Sequence, residues 1–136
     1  VEFLITRRDT AEIVGGIGVQ QAHDGAGAPE LGYWIAVAHW GRGYATEAGR
    51  AVVNLARSSL RIPRLRSSWF HDNPASGRVL SKLGFRPTGQ IVPRHSLGRG
   101  EAVPAVQMAQ DLASDGEVPL PPLRSSAQMQ MQRRSA

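Results

Sequence analysis

The chain contains no cysteine. Disulfides, thiolate metal sites and thiol nucleophiles are therefore excluded as sources of stability or chemistry. Lysine is nearly as scarce: Lys82 is the only one, and arginine carries almost all the positive charge. No apolar run approaches the ~18 residues that suggest a membrane span, and no stretch has the pattern of a secretory leader. The lack of cysteine fits a cytoplasmic setting. Aromatics are only 6% of 136 residues, but 41% are hydrophobic and 20% charged, which is ordinary for one globular domain. Sixteen Lys+Arg against 11 Asp+Glu give a net charge of +5. The arginines are scattered rather than gathered into a stripe, so a solvated basic surface is expected ahead of a nucleic-acid interface.

What the chain does have is centred on His39-Trp40-Gly41-Arg42-Gly43-Tyr44-Ala45-Thr46-Glu47-Ala48. An extended apolar run precedes this stretch and an amphipathic helix follows it. Two glycines two apart let the backbone turn tightly and present its N–H groups without Cβ atoms in the way. The new helix points its first, unpaired N–H groups and the positive end of its dipole at the same place. Such a corner suits a phosphate or diphosphate, although a Gly-x-Gly turn before a helix is often only a turn.

Taken in order, residues 1–8 alternate apolar and polar, and residues 12–21 form a second β-rich run after the Asp9-Thr10 turn. The two read as a hairpin. Gly15, Gly16 and Gly18 suggest a bulge or the close approach of another backbone. Residues 30–37 make a third, more hydrophobic and hence central strand. From Tyr44 to Leu60, Ala45, Ala48, Val52, Leu55 and Ala56 recur at helical spacing. Pro63 ends that unit, and residues 64–71 read as a fourth strand. Asn73-Pro74 is a helix start, with Val79, Leu80 and Leu83 as its buried side and Gly84 as its stop. Two further strands follow, about 89–95 and 101–112. Residues 113–136 are rich in Pro, Ser and Gln and are expected to be a disordered tail. The order β-β-β-α-β-α-β-β indicates an α+β domain over residues 1–112.

Gly32-Tyr33-Trp34-Ile35, the loop from Trp40 to Ala48, and Asn73-Pro74-Ala75-Ser76 running to Lys82-Leu83-Gly84-Phe85 together resemble the GNAT superfamily of acyl-CoA-dependent N-acetyltransferases. More narrowly they resemble its Rim-like branch, the ribosomal-protein N-terminal acetyltransferases. The resemblance implies a mixed, twisted sheet with flanking helices, splayed between its fourth and fifth strands, with acetyl-CoA in the V-shaped gap. Residues 30–37 would be the fourth strand and offer backbone groups near Ile35 and Val37 to the pantetheine. Trp40, Gly41, Arg42, Gly43, Tyr44, Ala45 and Thr46 would wrap the diphosphate. Asn73 and Ser76 would face the pantetheine and thioester, and Arg78 and Lys82 an anionic end of CoA. Many members carry a proton-donating tyrosine where this chain has Leu80. The family's opening strand and two helices have no counterpart before Val1, which implies a domain incomplete at its N-terminus.

Acetyl transfer to an amine needs a neutral nucleophile, a polarised carbonyl and a stabilised leaving thiolate. Placing the two substrates side by side supplies much of the rate, and a strand N–H near Val37 is the candidate oxyanion donor. Glu30, at the start of the central strand, is the candidate general base, with a solvated strand-end carboxylate as its alternative. Ser76 is the candidate donor to the thiolate, or else a first-turn serine that satisfies backbone. Tyr44 is a further donor candidate that packing would explain equally well. His23, His39, His71 and His95 show no metal-ligand spacing, so no metal is assigned. His39 and His71 are placed near the gap as proton relays. The reading is an acetyl-CoA-dependent N-acetyltransferase acting on a primary amine, either a peptide N-terminus or a small molecule. The alternative is a non-catalytic acyl-CoA-binding module. No membrane and no nucleic acid is expected as partner, and monomer and homodimer both stay open.

Overall fold

Alternating apolar residues pair the first two strands into a hairpin. β1 (Glu2–Arg7) and β2 (Ile13–Gln20) run antiparallel, with Phe3 opposite Ile17 and Ile5 opposite Gly15. The computed structural model describes residues 1–22, 27–96 and 98–112, and the backbone alone of 127–130. β3 (Glu30–Ile35) joins β2 antiparallel, and α1 (Tyr44–Ser58) then crosses to β4 (Arg64–Phe70), which lies parallel to β3. Parallel neighbours require such a crossover. α2 (Pro74–Lys82) leads to β5 (Arg86–Ser96) and β6 (Glu101–Asp111), and β6 inserts between β4 and β5. The mixed sheet has the order β5-β6-β4-β3-β2-β1-β7, where β7 is Ala127–Gln130 on the outer edge of β1. Within 113–136, read from sequence as an unstructured tail, those four residues thus form a strand. The rest of that segment lies outside the described residues, as does His23.

Both helices cover one face. α1 lays Tyr44, Ala48, Val52, Val53 and Ala56 into a core built with Phe3, Ile5, Ile17, Leu31 and Leu65. α2 adds Leu80, which is fully buried, and Gly77 brings its backbone against the Trp69 ring. Gly84 adopts φ +98, and the amides of Gly84 and Phe85 bond back to Ser81 and Leu80. This Schellman closure buries Phe85 beside Leu80, as the sequence predicts. Gly15 also meets its expectation: a Cβ there would stand 2.2 Å from the Trp34 carbonyl oxygen.

Two boundaries differ in ways that touch the site. β3 ends at Ile35, and Val37–His39 form a 3-10 turn instead of continuing the strand. Val37 is 73% exposed, so no core contact holds it extended. β5 begins at Arg86, earlier than its composition suggests, with a register shift between Pro87 and Ile91 where Gly89 takes φ +90.

Candidate active site in the splayed sheet

The parallel pair β3/β4 is joined at one register position only, Glu30 opposite Arg66. Beyond it the strands diverge. The Ala36 amide donates to the Val14 carbonyl, so alternation turns the backbone groups of Trp34, Gly32 and Glu30 to β2 and those of Leu31, Tyr33 and Ile35 to the gap. The Leu31 carbonyl takes a 2.8 Å bond from Ser67 Oγ, and the Ile35 carbonyl a 2.7 Å bond from the Trp40 indole. A cavity of about 240 Å³ occupies the divergence, lined among others by Glu30, Tyr33, Ser68, Phe70, Ser76, Arg94 and His95.

At the wide end of the gap the loop between β3 and α1 turns on two left-handed residues, Gly41 at φ +75 and Gly43 at φ +79. Side chains with a Cβ disfavour that conformation. Nothing lies within 4 Å of where either Cβ would stand, and residues 40–43 are exposed. Gly43 is the N-cap of α1, and its carbonyl receives the Glu47 amide at 3.0 Å. The amides of Tyr44, Ala45 and Thr46 therefore begin the helix without intrahelical partners, pointing towards the open loop. Trp40, itself exposed, ties the loop down through its indole bond to Ile35.

Side chains converge on the gap from four elements. Tyr33 Oη and Ser76 Oγ lie 2.7 Å apart, joining β3 to the first turn of α2. Burial raises the Tyr33 pKa, with the Ser76 hydrogen bond opposing in part, so the phenol stays protonated. Glu30 is ion-paired with Arg94 of β5, which also donates to Ser68 Oγ at 3.0 Å. On the face of the sheet opposite α1 and α2, free of helix among the described residues, a second cavity of about 430 Å³ is lined by Glu2, Leu4, Gly16, Gly18, Gly32 and Trp34 among others. Glu30, Gly32, Tyr33 and Arg94 border both cavities. The Glu30–Arg94 pair thus stands where the gap opens onto the free face.

A parallel pair parted beside a glycine corner and a helix start is an arrangement for holding a long, anionic, partly extended ligand. Residues 1–86 match the family model of the acetyltransferase (GNAT) domain. The chain belongs to the GNAT acetyltransferase family. It is 40% identical over 91 residues to the uncharacterized N-acetyltransferase YoaA of Bacillus subtilis, covering 67% of this chain and 51% of that protein. It is 30% identical over 89 residues to the uncharacterized N-acetyltransferase p20 of Bacillus licheniformis, covering 65% and 50%. The chain spans about half the length of the relatives it matches. Among solved structures it resembles a GNAT-family acetyltransferase from Bacillus anthracis, with TM-score 0.70, 20% identity, and coverage of 83% and 67%. It also resembles the ribosomal-protein-S5-alanine acetyltransferase from Vibrio fischeri, with TM-score 0.72, 16% identity, and coverage of 82% and 61%. A third is the spermidine N-acetyltransferase from Vibrio cholerae in complex with CoA and spermine, with TM-score 0.69, 16% identity, and coverage of 82% and 65%. At these identities the structural likeness establishes the GNAT fold, splayed as expected between what are here β3 and β4.

Within this GNAT domain the residues singled out from sequence are distributed as follows. Ile35 ends β3, the loop from Trp40 to Gly43 leads from there to Tyr44, Ala45 and Thr46 at the start of α1, and Glu30 and Ser76 line the 240 Å³ cavity of the gap. Val37 does not offer an extended-strand amide, because the chain has turned by then. Asn73 occupies the N-cap of α2, but its side chain makes no cap bond; its carbonyl instead accepts the Ser76 amide at 3.1 Å. Arg78 and Lys82 are exposed on α2. Tyr44 is buried in the core edge-on to His39, which rules it out as a donor to the gap. His39 is buried with Nε2 3.3 Å from Glu12, and His71 is exposed, so neither joins the residues lining the gap. His95 does line it. Leu80 points into the core. Among the described residues no group of His, Asp and Glu is arranged to hold a metal, and no helix is long and apolar enough to cross a membrane. Tyr33, Ser68, Phe70, Arg94 and His95 line the gap without having been selected as site residues from the sequence. Period-two alternation from Ile35 was a usable signal for Tyr33. No local pattern marks Arg94.

Proposed function

We propose that this chain is the acetyl-CoA-binding and catalytic part of an N-acetyltransferase, its domain extending through β6 to Leu112. It passes acetyl to a primary amine by direct attack in a ternary complex, in a cytoplasmic setting. The observation that carries this reading is the single Glu30/Arg66 register pair, because it leaves β3 unpaired beside the Gly41–Gly43 corner. The uncluttered space over both glycines and the free first amides of α1 suit a diphosphate. Arg42, Tyr44, Ala45 and Thr46 supply backbone to that cradle, and the backbone of Tyr33 and the amide of Ile35, whose carbonyl is held by the Trp40 indole, are available to the amide-bearing arm. Acetyl-CoA, when bound, supplies the activated acyl group. Asn73 borders the thioester end, and Arg78 and Lys82 add positive charge at α2.

For the chemistry, the Tyr33–Ser76 hydroxyl pair is a proton source at Ser76 Oγ for a departing sulfur. Its protonated phenol fits that role. Glu30 receives a proton from the acceptor amine, directly or through water, and Arg94 holds its carboxylate in place. The 430 Å³ cavity on the free face is the route for the acceptor. A peptide N-terminus, as in the Rim-like branch, is the first choice of acceptor and a small-molecule amine the second.

The second reading, an acyl-CoA-binding module without catalysis, draws on one observation. The Glu30 carboxylate is already hydrogen-bonded to Arg94, so part of its accepting capacity is taken up within the chain. Calorimetry with acetyl-CoA, followed by thiol release against a panel of peptide N-termini and polyamines, separates the two. Binding with amine-dependent thiol release supports transfer, and binding without release supports the module. No binding of acetyl-CoA overturns both.

A further inference from the structure

We infer that Arg94 is a displaceable internal counter-ion, whose guanidinium holds the Glu30 carboxylate until the ammonium group of the acceptor takes its place. This role rests on the transfer reading above and adds the property by which an acceptor is selected. Arg94, on β5, is the only lysine or arginine among the described residues that line either cavity. Its Nη1 donates to Glu30 Oε1 of β3 and, at 3.0 Å, to Ser68 Oγ of β4. That nitrogen carries two hydrogens, so the Glu30 bond can break while the Ser68 bond persists. Neither partner is sealed in. The Arg94 and Glu30 side chains are 29% and 26% exposed, and both border the gap and the 430 Å³ cavity. A second cation entering from that cavity therefore reaches the carboxylate.

An acceptor arrives as R–NH3⁺, with the same charge as the group it meets. Two cations crowded onto one carboxylate repel each other, so the ammonium and the guanidinium compete for Glu30. A ligand shifts such an equilibrium only by what it gains over the group it displaces. A free ammonium gains the carboxylate. A blocked, neutral nitrogen gains nothing, and Arg94 stays in place against it. Transfer then removes the competitor's charge. As the C–N bond forms and the C–S bond breaks, one ammonium hydrogen stays in the amide. A second ends on the sulfur of the departing CoA, and the third passes through Glu30 to solvent. The product nitrogen is neutral and Glu30 is again a carboxylate, so the guanidinium returns to it from Ser68. One residue thus admits the amine and dismisses the amide.

The test is an NMR titration of the full chain, with and without saturating CoA, using two probes. Butylamine carries an ammonium, and N-butylacetamide has the same alkyl chain on a neutral amide. Arg94→Gln keeps a donor for Ser68 but no charge, and should bind butylamine about tenfold more tightly than the native chain. N-butylacetamide should bind both alike. Arg94→Lys retains a competing cation and should behave as the native chain does. Adding Glu30→Gln to Arg94→Gln should abolish the gain. Equal or weaker butylamine binding by Arg94→Gln, or none at all, would overturn the proposal. So would an equal gain for N-butylacetamide, which would mean that only space had been made, or a gain that survives Glu30→Gln. Failure of the native chain to bind CoA would instead overturn the transfer reading, and the butylamine comparison without CoA would still decide whether Arg94 is displaced.

Discussion

The hydroxyl of Tyr33 lies 2.7 Å from Oγ of Ser76, closing the helix side of the gap between residues 43 apart in sequence. Each hydroxyl can donate or accept, so the pair can relay one proton without either atom being left bare. Its position beside the diverging strands makes it the most informative place to intervene.

Tyr33→Phe removes the relay and keeps the ring. We expect a 10- to 100-fold fall in kcat, about 1.4–2.7 kcal/mol of barrier, with acetyl-CoA affinity nearly unchanged. The loss of the hydrogen bond should lower stability by about 1 kcal/mol. Steady-state thiol release and thermal melts check both, and an unchanged kcat would make the pair structural only. The raised Tyr33 pKa has a further consequence. Above pH ~10 the unfolded chain gives up this proton while the folded chain keeps it, so the tyrosine's contribution to stability holds below pH ~10 and declines above it. Chemical denaturation from pH 8 to 11 should show that decline in the native chain and a shallower one in Tyr33→Phe.

Gly43→Val addresses the diphosphate corner. At φ +79 a β-branched residue costs about 1–2 kcal/mol, and its side chain occupies the open space over the loop. Acetyl-CoA affinity should drop at least tenfold by calorimetry, while the far-UV spectrum stays native. Retained affinity would remove the loop from the binding site.

Glu30→Gln keeps a hydrogen-bonding partner for Arg94, which also donates to Ser68, but cannot accept the amine's proton. If Glu30 is the base, kcat/KM should fall by about two orders of magnitude and the acidic limb of the pH–rate profile should flatten. An unaltered profile would assign the carboxylate to positioning alone.

Gly77→Ala tests the packing of α2. A Cβ there would stand 2.8–3.1 Å from atoms of the Trp69 indole, a rigid ring pressed against the helix. Alanine gains about 1 kcal/mol in helix propensity, but overpacking costs about 1–3 kcal/mol, so the clash should win. We expect a net loss of about 1 kcal/mol, seen as a Tm lower by a few degrees. A raised Tm would mean that α2 can slide away from β4.

The parts of the site legible from sequence are those made by residues close together in the chain. Gly41, Gly43 and the helix after them announce a corner because backbone conformation and N-capping are decided within a few residues. The same holds for Pro74 at the start of α2 and for the Gly84–Phe85 closure at its end. Where β3 stops was misread for a related reason: Ala36 and Val37 are apolar enough to extend a strand, but no partner strand meets Val37. Composition could not reveal β7 either, since its four residues gain order only from the edge of β1.

By itself, then, the sequence determined the element order, the core faces of both helices and the glycine corner, since each follows from local sterics and periodic burial. Tertiary structure alone decided that Arg94 reaches Glu30 across 64 residues, that Tyr33 meets Ser76, that Tyr44 and His39 turn away from the gap, and that the far end of the chain borders its beginning. The physical reason is that these relationships depend on how far β3 and β4 splay and on which edge each strand finds. Those distances belong to the folded sheet and to no single stretch of residues.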